Sequence, residues 1–148
     1  RNPDNNPTLR AKIRSYGWYD VTFMSDKIAS GIINFSSTWD EEQQSYAMNF
    51  DLVTGKEIFM ESIFKKDTDV QKIIRDHLNE NINTYALYGN YEYRKWLAEA
   101  KFIHFNIRKE GIVFTTSFDM IYGQQMVTIP YKALKPYLKN NTIISDLI

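Results

Sequence analysis

Three consecutive stretches of period-two alternation constrain this chain most. In Trp18 to Met24, Tyr19, Val21 and Phe23 share one face and Asp20 and Thr22 the other. Lys27 to Thr38 repeats the pattern with Ala29, Gly31, Ile33 and Phe35. Ser45 to Val53 repeats it with Tyr46, Met48, Phe50 and Leu52. Side chains alternate across a strand, so each stretch predicts a half-buried strand with its apolar set turned inward. Short polar connections make antiparallel hairpins the expected pairing.

The period then changes. Val70, Ile74, Leu78, Ile82 and Tyr85 recur at helical spacing, which predicts a long helix from about Thr68 to Leu87. Asp67 or Thr68 is its expected cap, with Gln71 at capping-box distance from Thr68. Glu57 to Phe64 suggests a helical turn and Tyr91 to Ala100 a short helix. Strands follow at Phe102 to Arg108, Ile112 to Phe118 and Gln125 to Ile129, with Ile103, Phe105 and Ile107 expected inward. Gly55 and Gly111 are read as turn residues. Tyr131 to Leu138 suggests a terminal helix made irregular by Pro136. Strands, helix, strands and short helix in that order predict an α+β class: an antiparallel sheet of hairpins with one long helix packed on a face. Residues 1–15 read as a leader or linker, and 16–148 as one α+β domain.

Composition narrows the function classes. Eighteen basic residues balance eighteen acidic ones, so no global field draws in nucleic acid, and no nucleic-acid partner is expected. The absence of cysteine removes disulfides, thiolate metal sites and cysteine nucleophiles. His77 and His104 lack any paired-ligand spacing, so a structural or surface role is expected for each and no metal site. There is no phosphate-binding glycine loop and no nucleophile elbow; no cofactor and no catalytic residue are expected. No run is long and apolar enough for a membrane span. The chain opens at Arg1 without an initiator Met, and any export signal or membrane anchor is expected upstream.

Two segments carry a family resemblance. Met48 to Ile74, MNFDLVTGKEIFMESIFKKDTDVQKII, resembles the DLxTGKxIxLxDLF stretch of a bacterial envelope domain family of unknown general function. Lys109 to Leu138, KEGIVFTTSFDMIYGQQMVTIPYKALKPYL, is similar to that family's DGIxFYFxPYEIxxYAxG and xVxIPYxxLKxYL runs. Members include the extracytoplasmic part of lysozyme-sensing anti-sigma factors and a domain preceding some peptidoglycan deacetylases. The resemblance implies an exported, extracytoplasmic domain, in the periplasm or at the cell surface. It implies a non-catalytic binding module for a protein or cell-wall glycan.

The chain departs from the family at two loops. Trp39 to Gln44 replaces a GGAH-like loop, and Phe118 to Gly123 shortens the other. Trp39, Asp40, Glu42, Asp119 and Tyr122 are therefore the expected ligand-binding residues. Two alternatives stay open. One is a cell-wall glycan hydrolase using paired carboxylates such as Asp51, Glu57 and Asp119. The other is a structural spacer in a larger envelope protein.

Overall fold

A computed structural model describes residues 15–37, 43–81 and 91–148. The expected α+β class is correct, with the strands divided between two antiparallel sheets. The first sheet holds β1 (Ser15–Met24), β2 (Ile28–Ser37), β3 (Gln43–Asp51) and the short β4 (Lys56–Glu57), in that order. The second holds β5 (Phe102–Ile107), β6 (Gly111–Thr116) and β7 (Met126–Pro130). Between them in sequence run α1 (Met60–Ile63), α2 (Val70–Glu80) and α3 (Tyr91–Glu99). After β7 come α4 (Tyr131–Leu134), a 3-10 turn at Lys135–Tyr137 holding Pro136, and a last 3-10 turn at Ser145–Leu147.

The main core lies on one face of the second sheet. Phe105, Ile107, Ile112, Phe114, Val127 and Ile129 point there and are buried. Ile74 and Leu78 of α2, Leu97 of α3 and Leu134 of α4 close over them. The α2 stripe is thus as expected as far as Leu78; Ile82 and Tyr85 lie outside the described residues. The α2 cap is Asp69, whose Oδ1 accepts from Lys72 N at 2.9 Å. The cap falls after the expected Asp67 or Thr68 because Asp67 takes a left-handed φ of 63° and turns the chain first.

Gln71 is likewise no capping-box partner. Its amide pairs with the backbone of Phe102, donating to the carbonyl at 2.8 Å and accepting from the N–H at 3.1 Å. The inward set of β5 also differs from expectation. A bulge between Phe102 and His104 turns Ile103 out to solvent and Phe102 in.

The first sheet reverses its expected orientation. Register places Tyr19, Val21, Met24, Ala29, Gly31, Ile33, Phe35, Tyr46, Met48 and Phe50 on one face. None of them is buried, and Tyr19 is 75% exposed. The opposite face carries Asp20, Ser30, Ile32, Asn34, Ser45, Ala47 and Asn49, and this face meets the second sheet. A bulge between Val21 and Phe23 moves Phe23 to the inner face, where it joins the core.

Hydrogen bonds explain the reversal. The outer edge of β5 is a row of backbone groups that needs partners. Asn49 supplies them, donating from Nδ2 to Phe105 O at 2.8 Å and accepting Ile107 N at Oδ1, 3.0 Å away. Ser30 Oγ donates to the same Oδ1 at 2.7 Å. Asn106 Nδ2 donates to Gly31 O at 2.7 Å and to Ser30 Oγ at 3.2 Å. The buried contact between sheets is therefore a seam of amides and hydroxyls in which each buried side chain has partners.

Candidate functional site

Beyond that seam the two sheets part, leaving a groove of about 390 Å³. Asp20, Ile32, Asn34, Ser45 and Ala47 form its wall from the first sheet. His104, Asn106, Thr115 and Met126 form the wall from the second, and Phe118 and Gln124 come from the β6–β7 connection. Period two accounts for both walls: these side chains alternate with the outward apolar set of β1–β3 and the core set of β5–β7.

The polar groups of the first wall are linked. Ser45 Oγ donates to Asn34 Oδ1 at 2.6 Å, and Asn34 Nδ2 donates to Asp20 Oδ2 at 3.2 Å. This fixes the Asn34 amide, leaving Asp20 exposed as an acceptor at the rim. His104 is half-buried and stands edge-on to Tyr46 with ring centroids 5.8 Å apart. Desolvation lowers its pKa, which favours a neutral imidazole at physiological pH. Past His104 the groove continues into a shallower depression that shares Ser45, His104, Phe118 and Gln124 and adds Tyr46, Ile103 and Met120. Register sets Trp18 opposite Asn34 on the groove face of β1, partly exposed.

Of the sequence-predicted ligand residues, Trp39, Asp40 and Glu42 lie outside the described residues. Asp119 and Tyr122 share one loop and shape it. Asp119 Oδ1 accepts from Ile121 N at 2.8 Å and Tyr122 N at 2.9 Å, and its backbone exchanges bonds with Gly123. The N–H groups of Tyr122 and Ile121 hold the Asp119 carboxyl below its usual range. Tyr122 packs its ring on Trp96 and Tyr93, with centroids at 5.0 and 5.4 Å. Gln125 fastens this cluster, accepting from Tyr93 Oη at 2.9 Å and donating to Tyr122 O. Neither Asp119 nor Tyr122 lines the groove; their neighbour Phe118 does.

The three candidate carboxylates of the hydrolytic alternative also lie elsewhere. Asp51 folds back on its own turn, accepting from Val53 N at 2.8 Å and Thr54 N at 3.2 Å. The Thr54 side chain is the main cause of its lowered pKa. Register puts Glu57 beside Phe50 on the outer face and Asp51 on the inner face. Asp20 is the single carboxylate among the described groove residues, and no cluster of three or more potential metal-ligating side chains occurs among the described residues. No helix there is long and apolar enough to cross a membrane. The groove residues Asp20, Asn34, Ser45, His104 and Gln124 were not expected from sequence. Their signal was the polar half of each alternating strand, which reads as solvent-facing by default.

The architecture is a two-sheet α+β domain with a polar groove between its sheets and its helices packed against the far side of the second. The same fold occurs in a member of the DUF3298 family from Bacteroides fragilis, a domain family of unknown function. The match has a TM-score of 0.68 at 16% identity and covers 91% of this chain and 58% of that one. A DUF3298 family protein from Pseudomonas aeruginosa PAO1 matches with a TM-score of 0.64 at 14% identity, over 85% of this chain and 62% of that one. At these identities the likeness defines the fold alone. The chain spans about six-tenths of the length of each of these two structures. No family model matches the chain, and no curated protein matches it.

Proposed function

We propose that the domain is a non-catalytic binding module of the cell envelope, and that its inter-sheet groove takes a polar, chain-like ligand such as a cell-wall glycan. The linked Ser45–Asn34–Asp20 wall carries this reading. Fixed amides and hydroxyls beside apolar and aromatic surface suit a ligand with many hydroxyl and acetamido groups and apolar ring faces. Phe118 and Trp18 offer flat surfaces, and the continuation past His104 gives the groove length for more than one ring. A lone carboxylate among the described groove residues supports binding over hydrolysis, because acid–base cleavage of a glycosidic bond calls on two. The resemblance to envelope domains found in anti-sigma factors and beside deacetylases supports an extracytoplasmic location and a place within a longer protein.

The test is an NMR titration of the amide-labelled domain with N-acetylglucosamine oligomers and soluble peptidoglycan fragments. Saturable shifts should cluster at Asn34, Ser45, His104 and Gln124. Ser45→Trp should block the groove and weaken binding at least about 10-fold, a loss of about 1.4 kcal/mol. Absence of saturable binding, or shifts confined to the Asp119–Tyr122 loop, would refute the assignment. Release of new reducing ends, abolished by Asp20→Asn, would instead establish the hydrolase.

A further inference from the structure

Apart from Tyr46, which edges the groove's continuation beside His104, the apolar outer face of the first sheet has no role in the groove. We infer that this face is a self-association surface, through which two copies of the chain pack sheet against sheet. β2 and β3 pair without a bulge, and the inner face is hydrogen-bonded to the second sheet, so the outward orientation belongs to the fold. From β1 to β3 the described residues of this face carry no carboxylate, amine or guanidinium; its members are Tyr19, Val21, Ile33, Phe35, Met48, Phe50 and their small neighbours, and Glu57 stands at its margin on β4. Two copies can therefore meet over β1 to β3 without like-charge repulsion, as a two-fold interface requires, with Glu57 left at the margin.

Shape points the same way. A wholly apolar depression of about 220 Å³ lies over Ala29 and Gly31, rimmed by Val21, Ile33, Met48 and Phe50. Its floor depends on Gly31, where an added Cβ would come within 2.8 Å of Asp20 O. Beside it Tyr19 projects, 75% exposed. Each copy thus offers both a protruding ring and a slot, the two halves of a self-complementary contact.

The area approaches that of a standard interface. Taking roughly 200 Å² for an aromatic side chain, the exposures of Tyr19, Phe35 and Tyr46 (75, 49 and 45%) leave about 340 Å² of these three residues open. Val21 and Met24, each more than half exposed, and the partly open Ile33, Met48 and Phe50 bring the face toward the roughly 800 Å² per partner of a standard interface. Patches of this size are rare on monomers, and aligned packing of two such sheets is a common arrangement.

Light scattering coupled to size exclusion, with sedimentation velocity from about 1 μM to about 1 mM, reads the outcome. Wild type should run at twice the 17.5 kDa chain mass. Tyr19→Glu and Val21→Lys, both at exposed positions, should give monomers with unchanged far-UV circular dichroism. Ile121→Asp, at an exposed apolar residue on another surface, should leave the dimer intact. A wild type that stays monomeric throughout overturns the inference, as does a dimer that survives both face variants. Capture of lipid vesicles or of another segment of a longer protein by a monomeric wild type also overturns it. None of these outcomes touches the groove, so the glycan reading stands or falls separately.

Discussion

Replacing Asn49 tests whether the polar seam holds the two sheets together. The side chain is 2% exposed and makes three bonds, to Phe105 O, Ile107 N and Ser30 Oγ. Asn49→Ala leaves two backbone groups of β5 without partners in a buried place, at about 1–3 kcal/mol each, and Ser30 loses an acceptor. A loss of about 3–5 kcal/mol is expected, a large part of the roughly 5–15 kcal/mol of a whole domain. In urea, with a slope of about 2 kcal/mol/M, the midpoint should fall by about 2 M. Exchange of the Ile107 amide should accelerate more than that of amides in β6. Asn49→Asp separates the seam from simple packing. Its carboxylate keeps the acceptor for Ile107 N but sets oxygen against Phe105 O, so at neutral pH it should be no better than alanine. Burial raises the pKa of that introduced acid. When protonated it donates to Phe105 O, so its stability should recover as pH falls through the folded-state pKa and be lost as pH rises through it. An Asn49→Ala midpoint within about 0.5 M of wild type would refute the reasoning, as would an Asn49→Asp variant showing no acid recovery relative to Asn49→Ala.

Gly111→Ala should destabilise by about 3 kcal/mol or more, since the new Cβ would sit 2.3 Å from Ile129 O and 2.8 Å from Pro130 Cα; thermal melting checks it. Gln71→Ala should lose about 1–2 kcal/mol and speed exchange of the Phe102 amide, whose side-chain partner it removes. The Asp119 carboxyl is held below its usual range by Tyr122 N and Ile121 N, so its contribution is present above the unfolded pKa and lost as pH falls through the folded one. Asp119→Ala should flatten the acid limb of the melting-temperature profile. Tyr131 is shifted the opposite way, upward by burial, with its hydroxyl donating to Arg108 O at 2.7 Å. Its contribution is full below the ordinary phenol pKa and lost as pH rises above it, so Tyr131→Phe should flatten the alkaline limb.

Periodicity located the strands because spacing is a local property. The Tyr19–Val21, Ile33–Phe35 and Tyr46–Phe50 pairs all lie on real strands, each on one face. The spacing of Ile74 and Leu78 likewise marks the buried side of α2. What alternation cannot state is which face turns inward. The usual answer assigns the apolar face to the core. Here that answer fails for the first sheet apart from Phe23, because Asn49 satisfies backbone groups of β5 at Phe105 and Ile107, and Asn106 reaches from β5 to Gly31 O and Ser30 Oγ. The partners across the seam are 56 to 76 residues apart in sequence, and no local window contains them. Gly111 shows the same limit. Its carbonyl closes the β5–β6 turn, as expected, accepting from Arg108 N at 2.9 Å, but its place also demands the close approach of β7, which no local window shows. Gly55, with φ of 71°, is the local case, and there the sequence reading is correct.

The reversal also explains why the groove was illegible. A polar residue on an amphipathic strand is assigned to solvent, so Asp20, Asn34 and Ser45 carried no functional signal. Divergence from the family pattern points to the loops instead. In the structure the described loop residues Asp119 and Tyr122 spend their polar and aromatic groups on the loop and the Trp96 cluster. The same turn of the sheet that brings amides and hydroxyls to the groove sends Tyr19, Ile33 and Phe50 to the outside. Groove and apolar face are thus two consequences of one choice of face, fixed by the hydrogen-bonding demand of β5. A variant that relieves that demand should disturb both surfaces together. Asn49→Ala is that variant, and loss of dimer and of groove shifts in parallel with its fall in stability is the expected result.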